Sequence, residues 1–366
     1  MNINNARTTC LAVMLLFALL STASGMAMQA RQTPLRSTST SNPPPPPPVN
    51  ITRIGNINYS GPHTWDGVLT IHADHAAFGD GRITANVTGI PQGVTFQGNR
   101  TGITLRNLVF EGVGDGINIG NNQRVDELVI DNCHFLNCRT PNVKADDVLL
   151  NSRGYGIFGA RGRSWTITNS IFRTCVEPES TASSPPHRAS LSIGSQYAAR
   201  LGAVHGLNVH NTLFENRNGK ATMWLMFVRG AAFDTTSFKG GPIRIGVRPN
   251  DLPDVSIGEC RHIIFRNCRF EFESHDNWPA SVLIWPGTEH VRFERCTFTT
   301  QGEWWIDIDS RDTAHITWDS ACTWNGEPIT GYRGVRTIMS QSQMEQRGIG
   351  PQKTAQDEAE NLTQPN

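Results

Sequence analysis

Two polar stretches of this chain hold the side chains best suited to chemistry. Asn137 to Tyr155 carries Lys144, Asp146, Asp147, Arg153 and Tyr155, and Thr174 to His205 carries His187, Arg188, Tyr197, Arg200 and His205. These types supply what β-elimination on a uronic acid requires: a cation at the carboxylate, a base for the neighbouring proton and an acid for the leaving oxygen. His205 or His210 is the candidate base, Tyr197 or Tyr155 the acid, and Lys144, Arg153, Arg188 and Arg200 are the cations. Asp147, paired with Asp146, has the chemistry of a hydrolytic carboxylate.

Both stretches interrupt an internal repeat. An eight-residue pattern ending in phenylalanine recurs at Ile103–Phe110, Leu128–Phe135, Trp165–Phe172, Leu207–Phe214, Ala231–Phe238, Ile263–Phe270 and Val291–Phe298, with a degenerate copy from Ile316. Apolar residues at the first and third places alternate with polar ones, the period of a strand with one buried face. The fifth place holds Asn107, Asn132, Asn169, Asn211 and Asn267, a residue that tolerates a left-handed corner. Such corners, stacked, would let buried amides hydrogen-bond up the column. A second short strand recurs between copies, as in Gly116-Ile-Asn-Ile-Gly and Pro242-Ile-Arg-Ile-Gly. Each copy therefore reads as one coil of a solenoid. The two longest steps between copies, 37 and 42 residues, fall in consecutive coils, so their insertions lie side by side and are the natural place for a site.

The outward fourth place supplies a second candidate. It reads Arg106, Asp131, Thr168, His210, Asp234, Arg266, Glu294 and Asp319, alternating in sign at the inter-strand spacing of about 4.8 Å, so cross-strand pairing accounts for much of it. His210 beside Asp234 is the pair of chemical interest, because a carboxylate raises and orients an imidazole base. Trp224, Trp278, Trp285, Trp304 and Trp305 lie on or beside the secondary strands and are suited either to the core or to a sugar ring. His72-Ala-Asp74-His75 has no second ligand cluster, so no metal site is expected.

The repeat, from about Gly67 to Gly326, resembles the right-handed parallel β-helix superfamily of pectate and alginate lyases, polygalacturonases and phage tailspikes. The resemblance implies an all-β solenoid of about 8–10 coils and is nearly silent on function. Asp146-Asp147-Val-Leu-Leu-Asn-Ser and Leu191-Ser-Ile-Gly-Ser are similar to fragments of the polygalacturonase pattern. Its other elements are replaced by Gly114-Asp115-Gly116, Arg188-Ala-Ser190 and Arg244-Ile-Gly246.

The chain ends bound the rest. Residues 1–30 read as a signal peptide, with an apolar stretch from Leu11 to Leu20 too short to span a bilayer. Residues 31–50 read as a linker with six prolines at Pro43 to Pro48, residues 51–330 as the β-helix, and 331–366 as a disordered polar tail. The 32 basic residues balance the 32 acidic ones and form no run, which gives nucleic-acid binding no support. Cys133, Cys268 and Cys296 share an inward repeat position and read as small buried hydrophobes, with a disulfide as the alternative in an exported protein.

The sequence thus reads as a secreted, periplasmic or cell-surface β-helix acting on a polysaccharide, most simply an acidic one, by lyase cleavage or epimerisation. The alternatives are a non-catalytic glycan-binding or surface-structural β-helix, and polygalacturonase-like hydrolysis. Calcium is the one cofactor this chemistry leaves open.

Overall fold

The computed structural model describes residues 51–54, 64–66, 68–84, 92–138, 154–173, 189–194, 204–216, 221–247, 260–273, 278–309 and 313–352. The chain divides into two units, Met1–Pro45 and Pro46–Asn366. The first unit, with the expected signal peptide and most of the linker, lies outside the described residues. The second is an all-β parallel β-helix. No helix among the described residues is long and apolar enough to cross a membrane.

Each repeat copy forms one coil with three strand segments, and successive coils pair in parallel. The secondary strands make the first sheet, in which Ile117, Ile157, Leu191, Met223, Ile243, Val282, Ile306 and Val335 align in one column. The segment before the Asn corner forms a second wall, where Leu105, Ile130, Ile167, Val209, Phe233, Phe265, Phe293 and Trp318 align. The segment after the corner forms a third wall, carrying the repeat phenylalanines. Ile51–Ile54 pairs antiparallel with Val68–Ile71 at one edge of the first sheet.

Alternation aims the apolar side chains into one shared core. Phe110, Phe135, Phe172, Phe214, Phe238, Phe270 and Phe298 are all buried and form one continuous stack, with successive ring centroids 4.3 to 5.5 Å apart. The corner residues are left-handed, with φ near 50° at Asn107, Asn132, Asn169, Asn211 and Asn267, and equally at Thr235 and Arg295. Their amides are hydrogen-bonded but exposed, which corrects the expectation of a buried ladder. The chain of bonds is also mixed. Asn132 donates to Asn107 (2.8 Å) and Asn211 to Asn169 (2.9 Å), but Asn169 and Asn267 donate to Asp131 and Asp234 of the preceding place (2.9 Å each).

The structure departs from the sequence reading at three further points. Ala77–Thr84 is one more coil, in register with Thr104–Glu111, but Ile83 stands where later coils have phenylalanine. The degenerate last copy carries one extra residue, so Cys322 and Trp324, not Ala321 and Thr323, continue the inward columns of Cys296 and Phe298. Residues 331–352, read from the sequence as the start of a disordered tail, form strands and a helix, and 353–366 lie outside the described residues. Val335–Thr337 extends the first sheet, Gly350–Pro351 pairs with Ala314–Trp318, and the helix Gln341–Gln346 between them starts at a Ser340 capping box. Met339, Met344 and Ile349 are the few apolar residues that anchor this cap to the core.

Cys133, Cys138, Cys260, Cys268, Cys296 and Cys322 are all buried free thiols. Burial pushes Cys133 and Cys260 up to about 12, so they stay protonated and pack as hydrophobes.

Candidate functional site

Lys144, Asp147, Arg153, Arg188, Tyr197 and Arg200 lie outside the described residues. Four candidates are placed. His205 and His210 sit on one strand of the second wall, Val204–His210, and Asp234 is in register with His210 on the next coil. Tyr155 is elsewhere: it precedes the first-sheet strand Ile157–Gly159 and is 2% exposed. Its ring stacks on Phe158 at 5.6 Å and packs with Ala189 and Ala221, while its backbone N–H donates to Asp115. A packed ring on another wall is not placed as an acid partner for either histidine.

The outward fourth-place column is closed by pairing. His210 Nδ1 lies 3.2 Å from Asp234 Oδ2, and the other Asp234 oxygen accepts from Asn267. Arg106 lies 3.8 Å from Asp131, and Glu294 is gripped by Arg266 (2.7 Å) and Arg292 (2.5 Å). Hydrogen bonds from Asn169 and Thr168, then the Arg106 charge, hold the Asp131 carboxyl below its usual range. Apart from Arg292, which reaches Glu294 along its own strand, these are cross-strand pairs at in-register positions, the arrangement that steadies a sheet. The third wall repeats the device with Arg173 and Glu215 at 3.0 Å and Lys239 and Glu271 at 3.3 Å.

The outer face of the first sheet is built differently. Its outward column runs Trp224, Arg244, Leu283, Asp307 and Arg336 over successive coils. Arg244 is only 2% exposed, and its guanidinium carbon lies 3.9 Å from the ring centre of Trp278, 5.5 Å from Trp224 and 5.7 Å from Trp285. Trp224 and Trp285 meet edge to face at 6.2 Å. Met226, Phe227, Val247 and Leu283 complete the cluster, with Trp278 and Trp304 at its rim, partly exposed. Trp305 is the exception among the five tryptophans. It points inward, fully buried, against Phe298 at 4.6 Å, and the inward Ile306 follows it directly, so alternation is broken at the start of this strand.

Asp307 lies in the same column, between Leu283 and Arg336. Burial pushes its carboxyl up to about 6, opposed by Arg336 at 3.9 Å and reinforced by Asp309. A half-buried acid beside an aromatic rim is a perturbed group of the kind that marks functional surfaces. In the sequence Arg244 stands out only as a departure from the polygalacturonase pattern, and no motif there marks Asp307 or Arg336. Aligning the middle residues of the short Ile-x-Ile strands exposes Arg244 and Asp307 as one column, whereas Arg336, in Val335-Arg-Thr337, carries no such signal.

Among the described residues, no group of three or more His, Cys, Asp or Glu is placed to hold a metal ion. No protein-family model matches the chain. No curated protein matches it either. Two solved structures of PfbA, a surface adhesin of Streptococcus pneumoniae, are similar at 12% identity. One has a TM-score of 0.38 over 77% of this chain and 80% of the other, and the second a TM-score of 0.37 over 77% and 76%.

Proposed function

We propose that this protein is a non-catalytic, carbohydrate-binding β-helix that works at a cell surface or outside the cell, and that Trp278 and Trp304 form its sugar platform. The observation that carries this reading is the Arg244 cage. A guanidinium packed against Trp278 and flanked by Trp224 and Trp285 fixes the rim indole before any ligand arrives. A platform already ordered loses little entropy when a sugar ring lies against it. Asp307 and Arg336 at the end of the column add polar groups for ring hydroxyls.

A glycan array with the full chain tests the proposal. Trp278→Ala and Trp304→Ala should each abolish the strongest signals, Trp304→Ala with the melting temperature close to wild type and Trp278→Ala with a modest fall, because it also uncovers the Arg244 guanidinium. Retention of all signals in the double variant would overturn the reading. The lyase reading, with His205 or His210 as base beside the two insertions, is tested in parallel by following unsaturated product from acidic polysaccharides. Turnover that disappears in His205→Ala or His210→Ala would replace binding with catalysis.

A further inference from the structure

A second left-handed corner recurs on the second wall, and over the last coils histidine occupies it: His262, His290 and His315, with φ of 57°, 55° and 55°. Their rings form a parallel file, with centroids 4.8 Å and 4.5 Å apart and planes tilted by 14° and 2°. Such stacking is harmless while the imidazoles are neutral. It becomes costly once neighbours carry charge, as for any like-charged pair on adjacent strands. Burial first, then His315 and His262, with Glu289 opposing and Arg261 adding, hold the His290 imidazole below its usual range. The other charges on these strands are paired: Arg261 lies 3.5 Å from Glu289, and Arg292 is held to Glu294 at 2.5 Å.

Residues 338–352 close over this file. The His315 N–H donates to the Arg347 carbonyl (2.8 Å), and a Cβ at Gly348 would stand 2.8 Å from His315 Nδ1, so backbone rests directly on the last ring. Gly350–Pro351 then pairs with Thr317 and Trp318, and the Gln352 N–H donates to Trp318 (2.8 Å). The fit is not tight. A groove of about 1080 Å³ lies between the file and Tyr332, Glu345 and Gln352, so water reaches the imidazoles. Of the charges this segment brings, Glu345 already accepts from Gln341 (2.9 Å), and the adjoining Arg347 is a further cation. Its buried apolar anchors are Met339, Met344 and Ile349, and most of its other side chains are exposed, the profile of a segment that opens well below the cost of global unfolding. The first-sheet side is held differently. There Val335–Thr337 pairs with Ile306–Ile308, and Gly334 and Arg333 accept from the Trp305 backbone (3.0 Å) and indole (3.1 Å) N–H groups. Asp307, raised to about 6, takes up a proton there as the pH falls, and a raised acid favours the folded arrangement under those conditions.

We propose that residues 338–352 form an acid-released lid, lifted from the second wall when the histidine file takes up protons and hinged at Val335–Thr337, which stays paired in the first sheet. Below the ordinary histidine value of about 6.5, the open lid exposes the rings to water, where they bind protons that the closed lid resists. Linkage then draws the equilibrium toward opening. What opening uncovers is the end of the solenoid, the edge of Ala314–Trp318 together with Met344 and Ile349. An unpaired strand edge beside apolar side chains is a template for pairing with another chain, so the lid keeps that end closed at neutral pH. The device requires no ligand and is independent of the aromatic platform.

Hydrogen exchange of the full chain, read by mass spectrometry at about pH 7.5 and about pH 5 and corrected for intrinsic exchange rates, tests it. Between the two, the amides of His315 and of residues 347–352 should lose about tenfold or more in protection. Those of Trp305, Val335–Thr337 and the Phe214 coil should keep theirs. His290→Asn/His315→Asn puts at both positions a residue that tolerates φ 55° and cannot titrate, so lid protection should become nearly the same at both pH values, whatever its absolute level. If that variant fails to fold, His290→Asn alone, which keeps His315 against Gly348, should shrink the loss to about threefold or less. Wild-type lid protection that does not change with pH overturns the proposal. So does an equal loss in every coil, which would be acid loosening of the whole solenoid. A full loss that persists in the histidine variants overturns it as well, by placing the sensor elsewhere.

Discussion

The two left-handed corners of each coil solve the same backbone problem by different means. At the first, asparagine dominates, and its amide reaches the neighbouring coil at Asn107, Asn132, Asn169, Asn211 and Asn267. At the second the residues are Gly102, Glu127, Ser164, Gly206, Gly230, His262, His290 and His315, all with positive φ, and no single chemistry unites them. A left-handed residue with a Cβ costs about 1–2 kcal/mol, so the second corner accepts that penalty repeatedly. The difference shows that strand pairing on both sides of a corner, not the corner residue, dictates the backbone there. Side chains then decide only how much the conformation costs.

The core between the corners sets the scale. Phe214 is fully buried between Phe172 and Phe238. Phe214→Ala should cost about 3–5 kcal/mol, because a rigid stack cannot collapse into the space. Chemical denaturation measures this, and a loss no larger than that at the corners would mean that packing of the phenylalanine stack does not dominate the stability of the coil.

At the asparagine corner, Asn169→Leu removes the bond to Asp131 and the one accepted from Asn211, and puts an apolar side chain into φ 51°. The expected loss is about 1–3 kcal/mol, toward the lower end because the amide is exposed. At the other corner, Gly206→Ala meets open space and only the backbone penalty, so it should cost about 1 kcal/mol. If Gly206→Ala proved the more damaging of the two, the amide chain would be contributing nothing and the corners would differ only in backbone strain.

These corners also show what a single sequence makes legible. The asparagine corner, the strands around it and the phenylalanine stack recur as residue types, so their shared environment was readable in advance. The second corner recurs only as a backbone angle, which glycine, serine, glutamate and histidine all satisfy, so no residue pattern announced it. The register of Arg163, His205 and Arg229 beside it was hidden for the same reason, since they align only once the coils are paired. The Arg244 cage was out of reach because Trp278 and Trp285 belong to the next coil and arrive through space. Residues 331–352 read as a tail because a few apolar anchors, Tyr332, Val335, Met339, Met344 and Ile349, spaced irregularly among polar residues, produce no period.

The smallest expected effect separates the corners by pH. His290 stacks between His262 and His315 at the second corner. Burial first, then His315 and His262, with Arg261 adding and Glu289 opposing, hold its imidazole below the usual histidine range. The unfolded chain therefore binds the proton more readily than the folded one, and stability rises with pH through this interval. The contribution is complete above the ordinary histidine value of about 6.5 and is lost as the pH falls through the depressed folded value. His290→Asn keeps a residue that tolerates φ 55° but cannot titrate. Melting temperature should therefore decline from neutral to mildly acidic pH in the wild type and decline less in His290→Asn, whereas Asn169→Leu should lower the whole curve without changing its slope. Parallel curves for wild type and His290→Asn would show that the stacked imidazoles are solvated well enough to take up protons freely, and the second corner would then be no more than a backbone turn.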